Sequence, residues 1–183
     1  MSDIVSDSSI SAFVNPPFHE PLAAHHDRQG FDCGEASLNA FLQQRARQNA
    51  ERNLGVTHVA VPQPGEAQIL GYYTLLVRSV AREEFAGAKK LPPGEIGVVL
   101  LARLAVSQSA QGQGLGTQML LRAMRQTERS ARDLGIYALV VHALNERAKA
   151  WYVGLDFGFE TLLDDPLHLC LSLQKIRQLG ISG

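Results

Sequence analysis

Val98-Val-Leu-Leu-Ala-Arg-Leu-Ala-Val106 runs almost without a polar break, and Gln111-Gly-Gln-Gly-Leu-Gly116 follows after the short spacer Ser107–Ala110. An apolar run of this kind suits a central strand buried on both faces. Gly112, Gly114 and Gly116 let the chain turn sharply at its end. Beyond them Leu120, Ala123, Met124, Thr127, Ala131 and Leu134 recur at helical spacing, with Gly135 as the stop. Arg122, Arg125, Arg129 and Arg132 occupy other positions of the same helix. Strand, glycine turn and helix together bring several backbone N–H groups to one point, at the positive end of a helix dipole. Each such contribution favours an anion by about 0.3–1 kcal/mol at an exposed site. The pattern reads as a pyrophosphate cradle. It is not a Walker loop, because no Gly-Lys-Ser/Thr follows, and it lacks the third glycine of a dinucleotide fingerprint. A glycine-rich turn without a ligand is the plainer alternative.

Working outward, Thr57–Val61 reads as a strand bounded by the turn signal Pro62-Gln-Pro-Gly65, and Gln68–Arg78 as its antiparallel partner. Residues 81–97 are mixed and contain the loop Lys89-Lys-Leu-Pro-Pro-Gly94. Upstream, Asp32-Cys-Gly-Glu35 fits a capping box, with Asp32 as the cap and Glu35 three residues on. The helix after it has Leu38, Phe41, Leu42 and Ala46 as its buried stripe and closes at Gly55. Downstream, Ala138–Ala143 is a short buried strand. Asn145 caps a helix through Trp151 and Tyr152, and His168–Leu173 alternates as a last strand. Residues 1–18 are Ser-rich and read as a flexible arm, so the ordered domain is expected over residues 19–183. The element order predicts an α/β (α+β) domain, a mixed sheet with helices on its faces.

The 183 residues and a mean hydropathy of -0.05 describe an ordinary globular chain able to bury its own core. The two cysteines, Cys33 and Cys170, are too few for a disulfide framework and lack metal-site spacing. The N-terminus shows neither a basic leader nor a long apolar run, so a cytoplasmic protein without a membrane span is expected. The net charge of -1 argues against a strongly basic nucleic-acid binder. The average hides a pattern. Residues 1–35 carry −5, residues 36–149 carry +6 and residues 150–183 carry −2.

Arg103-Leu-Ala-Val106 followed by Gln111-x-x-Gly114-x-Gly116 resembles the acetyl-CoA-binding core of the GNAT N-acetyltransferase superfamily. Val140–Tyr152 and Gly158-Phe159 resemble the strand, helix and Gly-Phe turn that follow it there. Phe31-Asp-Cys-Gly34 with Leu38, Phe41 and Leu42, Gly71-Tyr-Tyr-Thr-Leu75 and Asp165-Pro-Leu-His-Leu169 narrow the likeness. They resemble the branch of acetyltransferase toxins of bacterial toxin–antitoxin pairs, which acetylate the amino group of aminoacyl-tRNA. The likeness covers about residues 20–177. It implies a largely antiparallel sheet whose splayed central strands hold acetyl-CoA as cosubstrate, with no metal.

By this resemblance the backbone of Gln111, Gly112, Gln113, Gly114, Leu115 and Gly116 would hold the CoA pyrophosphate. Leu104, Ala105 and Val106 would offer main-chain hydrogen bonds to the pantetheine arm, and Asn145 would contact the cofactor. Tyr152 would be the acid that protonates the departing thiolate. An amine attacking the thioester directly needs near-attack geometry, a polarising N–H near Ala105 or Val106, and a proton donor at the sulfur. Helical spacing alone makes Tyr152 a core tyrosine beside Trp151. The branch further implies a small antitoxin partner and a homodimer. The acceptor reads as aminoacyl-tRNA, with Arg45, Arg47, Arg52, Lys89, Lys90 and the arginines of residues 122–132 as phosphate contacts. The alternatives are a small-molecule or protein amine, and a non-catalytic acyl-CoA-binding or partner-binding module.

Two positions depart from the pattern: Tyr152 to Gly158-Phe159 is two residues longer than usual, and Ser107 stands where the branch often has an acid. Glu95 could serve as a water-mediated base but reads as a solvated acid. His25-His26 lacks further spaced ligands for a metal, and His142 reads as a hydrogen-bonded core residue. Cys33 lies at a helix start that would lower its thiol pKa; direct transfer needs no cysteine nucleophile, so it reads as packing.

Overall fold

The computed structural model describes residues 16–181; the expected arm therefore lies almost wholly outside the described residues, at 1–15. Among the described residues seven strands form one sheet in the order β1-β2-β3-β4-β5-β7-β6. They are β1 (Phe18–Pro21), β2 (Val56–Val61), β3 (Gly71–Ala81), β4 (Glu95–Val106), β5 (Ala138–His142), β6 (Glu160–Thr161) and β7 (His168–Ser172). The helices are α1 (Ala36–Gln44), α2 (Ala46–Glu51), α3 (Leu115–Leu134), α4 (Glu146–Gly154) and α5 (Leu173–Gln178). β4 and β5 pair in parallel, while β1–β2, β2–β3, β5–β7 and β6–β7 are antiparallel. This is the expected mixed, largely antiparallel sheet with helices. No helix among the described residues is long and apolar enough to cross a membrane.

The chain forms two compact units, one comprising residues up to Leu75 with Arg103–Arg122, the other Leu76–Ala102 with residues from Ala123 on. The first is built on Tyr72, fully buried, whose ring meets Phe31 edge-on at 5.4 Å and stacks on Phe41 at 6.2 Å. Its hydroxyl donates to the Leu38 carbonyl at 2.8 Å, so the buried polar end is satisfied. Leu42, Ala46, Val59, Val61 and Ala105 complete that core. In the second unit Val98 and Leu100 of β4, Ala138 and Val140 of β5, Cys170 of β7 and Phe85 pack together. Burying an aliphatic or Phe side chain of this kind contributes about 1.5–3 kcal/mol.

Several local expectations change. The capping box is not formed: Glu35, not Asp32, is the N-cap of α1, and it makes no side-chain cap bond. Gly34 at φ +87 inserts a turn between Asp32 and the helix, and the Asp32 carboxylate accepts from Gly34 N–H and Asn39 instead. The single expected helix is kinked at Arg45 (φ -119), although the Arg45 and Asn49 amides keep the i to i−4 bonds across it. Phe18, the last residue of the expected arm, pairs with Val61 as the first residue of β1. Leu134 is exposed at the last turn of α3, whereas Met119 and Leu121 join the buried face.

Candidate active site

β4 pairs with β5 only over Val98–Leu101; its last residues, Ala102–Val106, have no partner in β5. Ala105 is buried, and Leu104 and Val106 are half-buried. After Val106, Ser107 donates its backbone N–H to Leu70 O at 2.8 Å and Gln108–Ala110 make one 3-10 turn. Gly112 and Gly114 then take φ +74 and +82, the left-handed region where glycine is unstrained. The Gln118 amide bonds to Gly114 O, which opens α3 and leaves the amides ahead of it without helical acceptors. Leu115, at 1% exposure, anchors this turn while Gln111 and Gly112 are exposed. A Cβ built on Gly112 meets nothing within 4 Å, so the space above the loop is open for a ligand. This local geometry suits a pyrophosphate.

The loop is braced from the Phe31–Gly34 segment, whose Asp32 and Cys33 read from sequence as a helix cap and a packing thiol. Gln111 Nε2 donates to Val106 O at 2.9 Å and to Cys33 O at 3.0 Å. Gln108 donates its backbone N–H to Asp32 O and its side-chain amide to Asp32 Oδ2, each at 2.9 Å. Gln113 Nε2 reaches Ser109 O at 3.2 Å. The Gly34 N–H first, then Asn39 and Gln108, hold the Asp32 carboxyl below its usual pKa. The Phe31–Gly34 motif thus acts as the frame of the glycine loop; sequence spacing carried no signal for that pairing. Gly71 has a similar explanation. A Cβ there would lie 3.0 Å from Ala105 O and 2.9 Å from Met119 Cε.

Tyr152 lies on α4, 7% exposed, edge-on to Trp151 at 4.8 Å and to Phe159 at 5.7 Å. Burial pushes its phenol well above the ordinary value, so it stays protonated and able to donate. Its hydroxyl has no hydrogen-bond partner among the described residues. Asn145 caps α4 as expected, its Oδ1 accepting from Ala148 N–H at 2.9 Å. Between Tyr152 and Gly158 the helix ends at Gly154, and Asp156 takes φ +57. Lys175 then fixes the Gly158-Phe159 turn by donating to Gly158 O at 2.8 Å and Glu160 at 2.6 Å.

Cys33 is buried, and burial raises its thiol pKa rather than lowering it; the thiol donates to Asn39 Oδ1 at 3.1 Å, as packing requires. Glu95 is exposed at the start of β4. His142 is half-buried, stacks on His168, and makes no hydrogen bond among the described residues, so it is not the bonded core residue expected. Glu20 joins His25 and His26 within 4.8 Å, a grouping the sequence did not reveal. His26 Nδ1, however, accepts the Ala23 N–H at 2.8 Å, so Nε2 carries the ring proton toward Glu20 at 2.8 Å. A metal-bound histidine donates from its second nitrogen rather than accepting there. The trio therefore braces the chain before the Phe31–Gly34 turn.

A strand with an open edge, a left-handed glycine turn and a long helix after it suit a pyrophosphate-bearing cosubstrate, and the family match makes the chain an acetyl-CoA-dependent N-acetyltransferase. The chain belongs to the acetyltransferase (GNAT) domain family, which matches residues 65–161. It is similar to the tRNA-acetylating toxin of Mycobacterium tuberculosis (strain ATCC 25618 / H37Rv), 36% identical over 154 residues, which are 84% of this chain and 90% of that protein. Among solved structures it resembles AtaT complexed with acetyl-methionyl-tRNAfMet, with a TM-score of 0.82 and 33% identity over 89% of this chain and 98% of that one. AtaTR bound with AcCoA superposes with a TM-score of 0.80 and 33% identity over 90% and 98% of the two chains.

Proposed function

We propose that this enzyme transfers the acetyl group of acetyl-CoA to the α-amino group of an aminoacyl-tRNA. The observation that carries the reading is the braced glycine loop at the head of α3, together with 36% identity to a tRNA-acetylating toxin. In this reading the amides of Gln111–Gly116 hold the pyrophosphate and the open edge at Leu104, Ala105 and Val106 receives the pantetheine arm as an added strand. An N–H near Ala105 or Val106 polarises the thioester carbonyl. Asn145 lies against the cofactor, and the Tyr152 phenol protonates the thiolate as the C–S bond breaks. Exposed Arg45, Arg52, Lys89 and Lys90 supply phosphate contacts, while Arg47 and Arg132 are already paired with Glu51 and Glu128.

The chain then acts as a bacterial, cytoplasmic toxin held in check by a small antitoxin partner, folded as one GNAT domain behind an N-terminal arm and able to form a homodimer. Its two substrates, acetyl-CoA and charged tRNA, coexist in the cytoplasm. The deciding experiment follows label from acetyl-CoA into total aminoacyl-tRNA at low and at moderate salt. Acetylated aminoacyl-tRNA whose yield falls with salt is the expected result. Label that enters only small-molecule or protein amines would overturn the acceptor, and no acetyl-CoA binding by calorimetry would overturn the transferase.

A further inference from the structure

Val140 and His142 of β5 share one face of the sheet, as do Val98 and Leu100 of β4 and His168 and Cys170 of β7, because successive side chains alternate. The register sets His142 directly opposite His168. On that face, within the second unit, lies a cavity of about 230 Å³. Leu100 and Val140 lay an apolar floor, while Arg78, Glu84, His142, Asp164 and His168 supply its polar groups. The two imidazoles stack with centroids 3.6 Å apart and planes 16° from parallel. His168 Nδ1 is tied to Asp164 Oδ2 at 2.7 Å, which fixes that ring, and the stack in turn fixes the plane of His142. His142 is also the first β5 residue past the last pair with β4, Leu101–Val141.

An amine arrives in neutral water largely as an ammonium, which has no electron pair to attack with. A transferase of this class therefore gains from a base that takes one proton before the C–N bond forms. We infer that this cavity receives the acceptor amine and that His142 takes its proton, with His168 and Asp164 as positioning residues. The inference rests on the transferase reading above. The N–H bond of the ammonium breaks, its electron pair stays on nitrogen as the nucleophile, and the proton joins the free pair of the His142 ring. The imidazolium then releases that proton to water. Glu84 and Asp164 at the cavity suit an incoming cation, and the apolar floor suits the carbon next to it.

The surroundings keep His142 in the state a base needs. Burial first, then His168 from β7 and Arg78 from β3, hold its pKa below the ordinary histidine value, against the opposing carboxylates of Asp164 and Asp165 before β7. It is unprotonated at neutral pH and free to accept.

The test compares full-length wild type with His142→Gln, His168→Gln and Asp164→Asn, using total aminoacyl-tRNA and, separately, amino-acid amides as acceptors, from about pH 5.5 to about pH 9.5. His142→Gln should lose about ten- to a hundredfold in kcat near neutrality, with acetyl-CoA affinity by calorimetry unchanged. Its rate should recover steadily toward high pH, where the amine sheds its own proton. His168→Gln and Asp164→Asn should move the acidic inflection of kcat/KM. A His142→Gln profile parallel to that of wild type, or acetyl-CoA affinity lost with the activity, overturns the inference on whichever amine is turned over. Turnover of amides but not of aminoacyl-tRNA counts instead against the acceptor proposed above, and the pH comparison is then read on the amides.

Discussion

Asp32 accepts from Gln108 twice, its carbonyl taking the backbone N–H and its carboxylate the side-chain amide, each at 2.9 Å. With Gln111 reaching Cys33 O, the turn before α1 and the turn before α3 share one hydrogen-bonded frame. A net hydrogen bond of this kind contributes about 1 kcal/mol, or about fivefold in affinity where it shapes a binding loop. Asp32→Ala and Gln111→Ala should each weaken acetyl-CoA binding by about three- to tenfold, as read by calorimetry. Unchanged affinity in both would show that the loop holds its shape unaided.

The same carboxylate makes acid stability measurable. Its folded pKa lies below the ordinary value because Gly34 N–H, Asn39 and Gln108 all donate to it. A depressed carboxylate stabilises the fold above its unfolded pKa, about 3.9, and that stability is lost as pH falls through the folded value. Urea midpoints should therefore drop more between about pH 5 and about pH 2.5 for wild type than for Asp32→Asn. Equal slopes would remove Asp32 from the account of acid unfolding.

Two glycines should fail in different ways. Gly71→Ala drives a methyl to 3.0 Å from the Ala105 carbonyl and against Met119, and a backbone atom cannot step aside. Overpacking of this kind costs about 1–3 kcal/mol, visible in the urea midpoint. Gly112→Ala has open space but a φ of +74, so its cost is backbone strain of about 1 kcal/mol, felt in the loop. Cofactor affinity should fall in Gly112→Ala with little change in global stability; the reverse ranking would contradict both assignments.

Tyr152→Phe keeps the ring contacts to Trp151 and Phe159 and removes a hydroxyl without a bonded partner among the described residues. Thermal stability and acetyl-CoA affinity should stay nearly unchanged while kcat falls by about a hundredfold or more. Because burial raises the phenol pKa, the wild-type profile should show no loss of this acid below about pH 10. Full activity in the variant would assign the proton donor elsewhere.

Zinc offers a direct check on the Glu20, His25 and His26 trio. His26 has its Nδ1 pair committed to Ala23 N–H and its Nε2 proton to Glu20, so neither nitrogen of that ring can ligate without breaking a bond. Neither stoichiometric Zn²⁺ nor EDTA should shift the melting temperature. A rise with zinc that Glu20→Gln abolishes would establish a metal site there.

Much of this molecule was legible where one pattern recorded one local cause. The run Val98–Val106 marked a two-sided strand, and the glycines after it marked a turn into a helix, because burial and left-handed φ leave such signatures. Asn145 announced its cap for the same reason. What escaped were partnerships distant in sequence. Asp32 looked like a helix cap because its neighbours fit the box, yet its oxygen is used by Gln108, 76 positions away. His142 looked like core because its strand is core, while the face it shares with His168 depends on register. The short β6 and the terminal α5 carry too few periodic residues to stand out.

Both cysteines are chemically quiet. Cys33 is buried with its proton engaged by Asn39, and burial pushes the Cys170 thiol up to about 12. The native chain should therefore present almost no thiolate at neutral pH. Each acetyl transfer, by contrast, liberates one free CoA thiol. A thiol-reactive chromogen added during turnover should thus count catalytic events against a nearly silent protein background, and an early burst equal to the cysteine content would instead report unfolding.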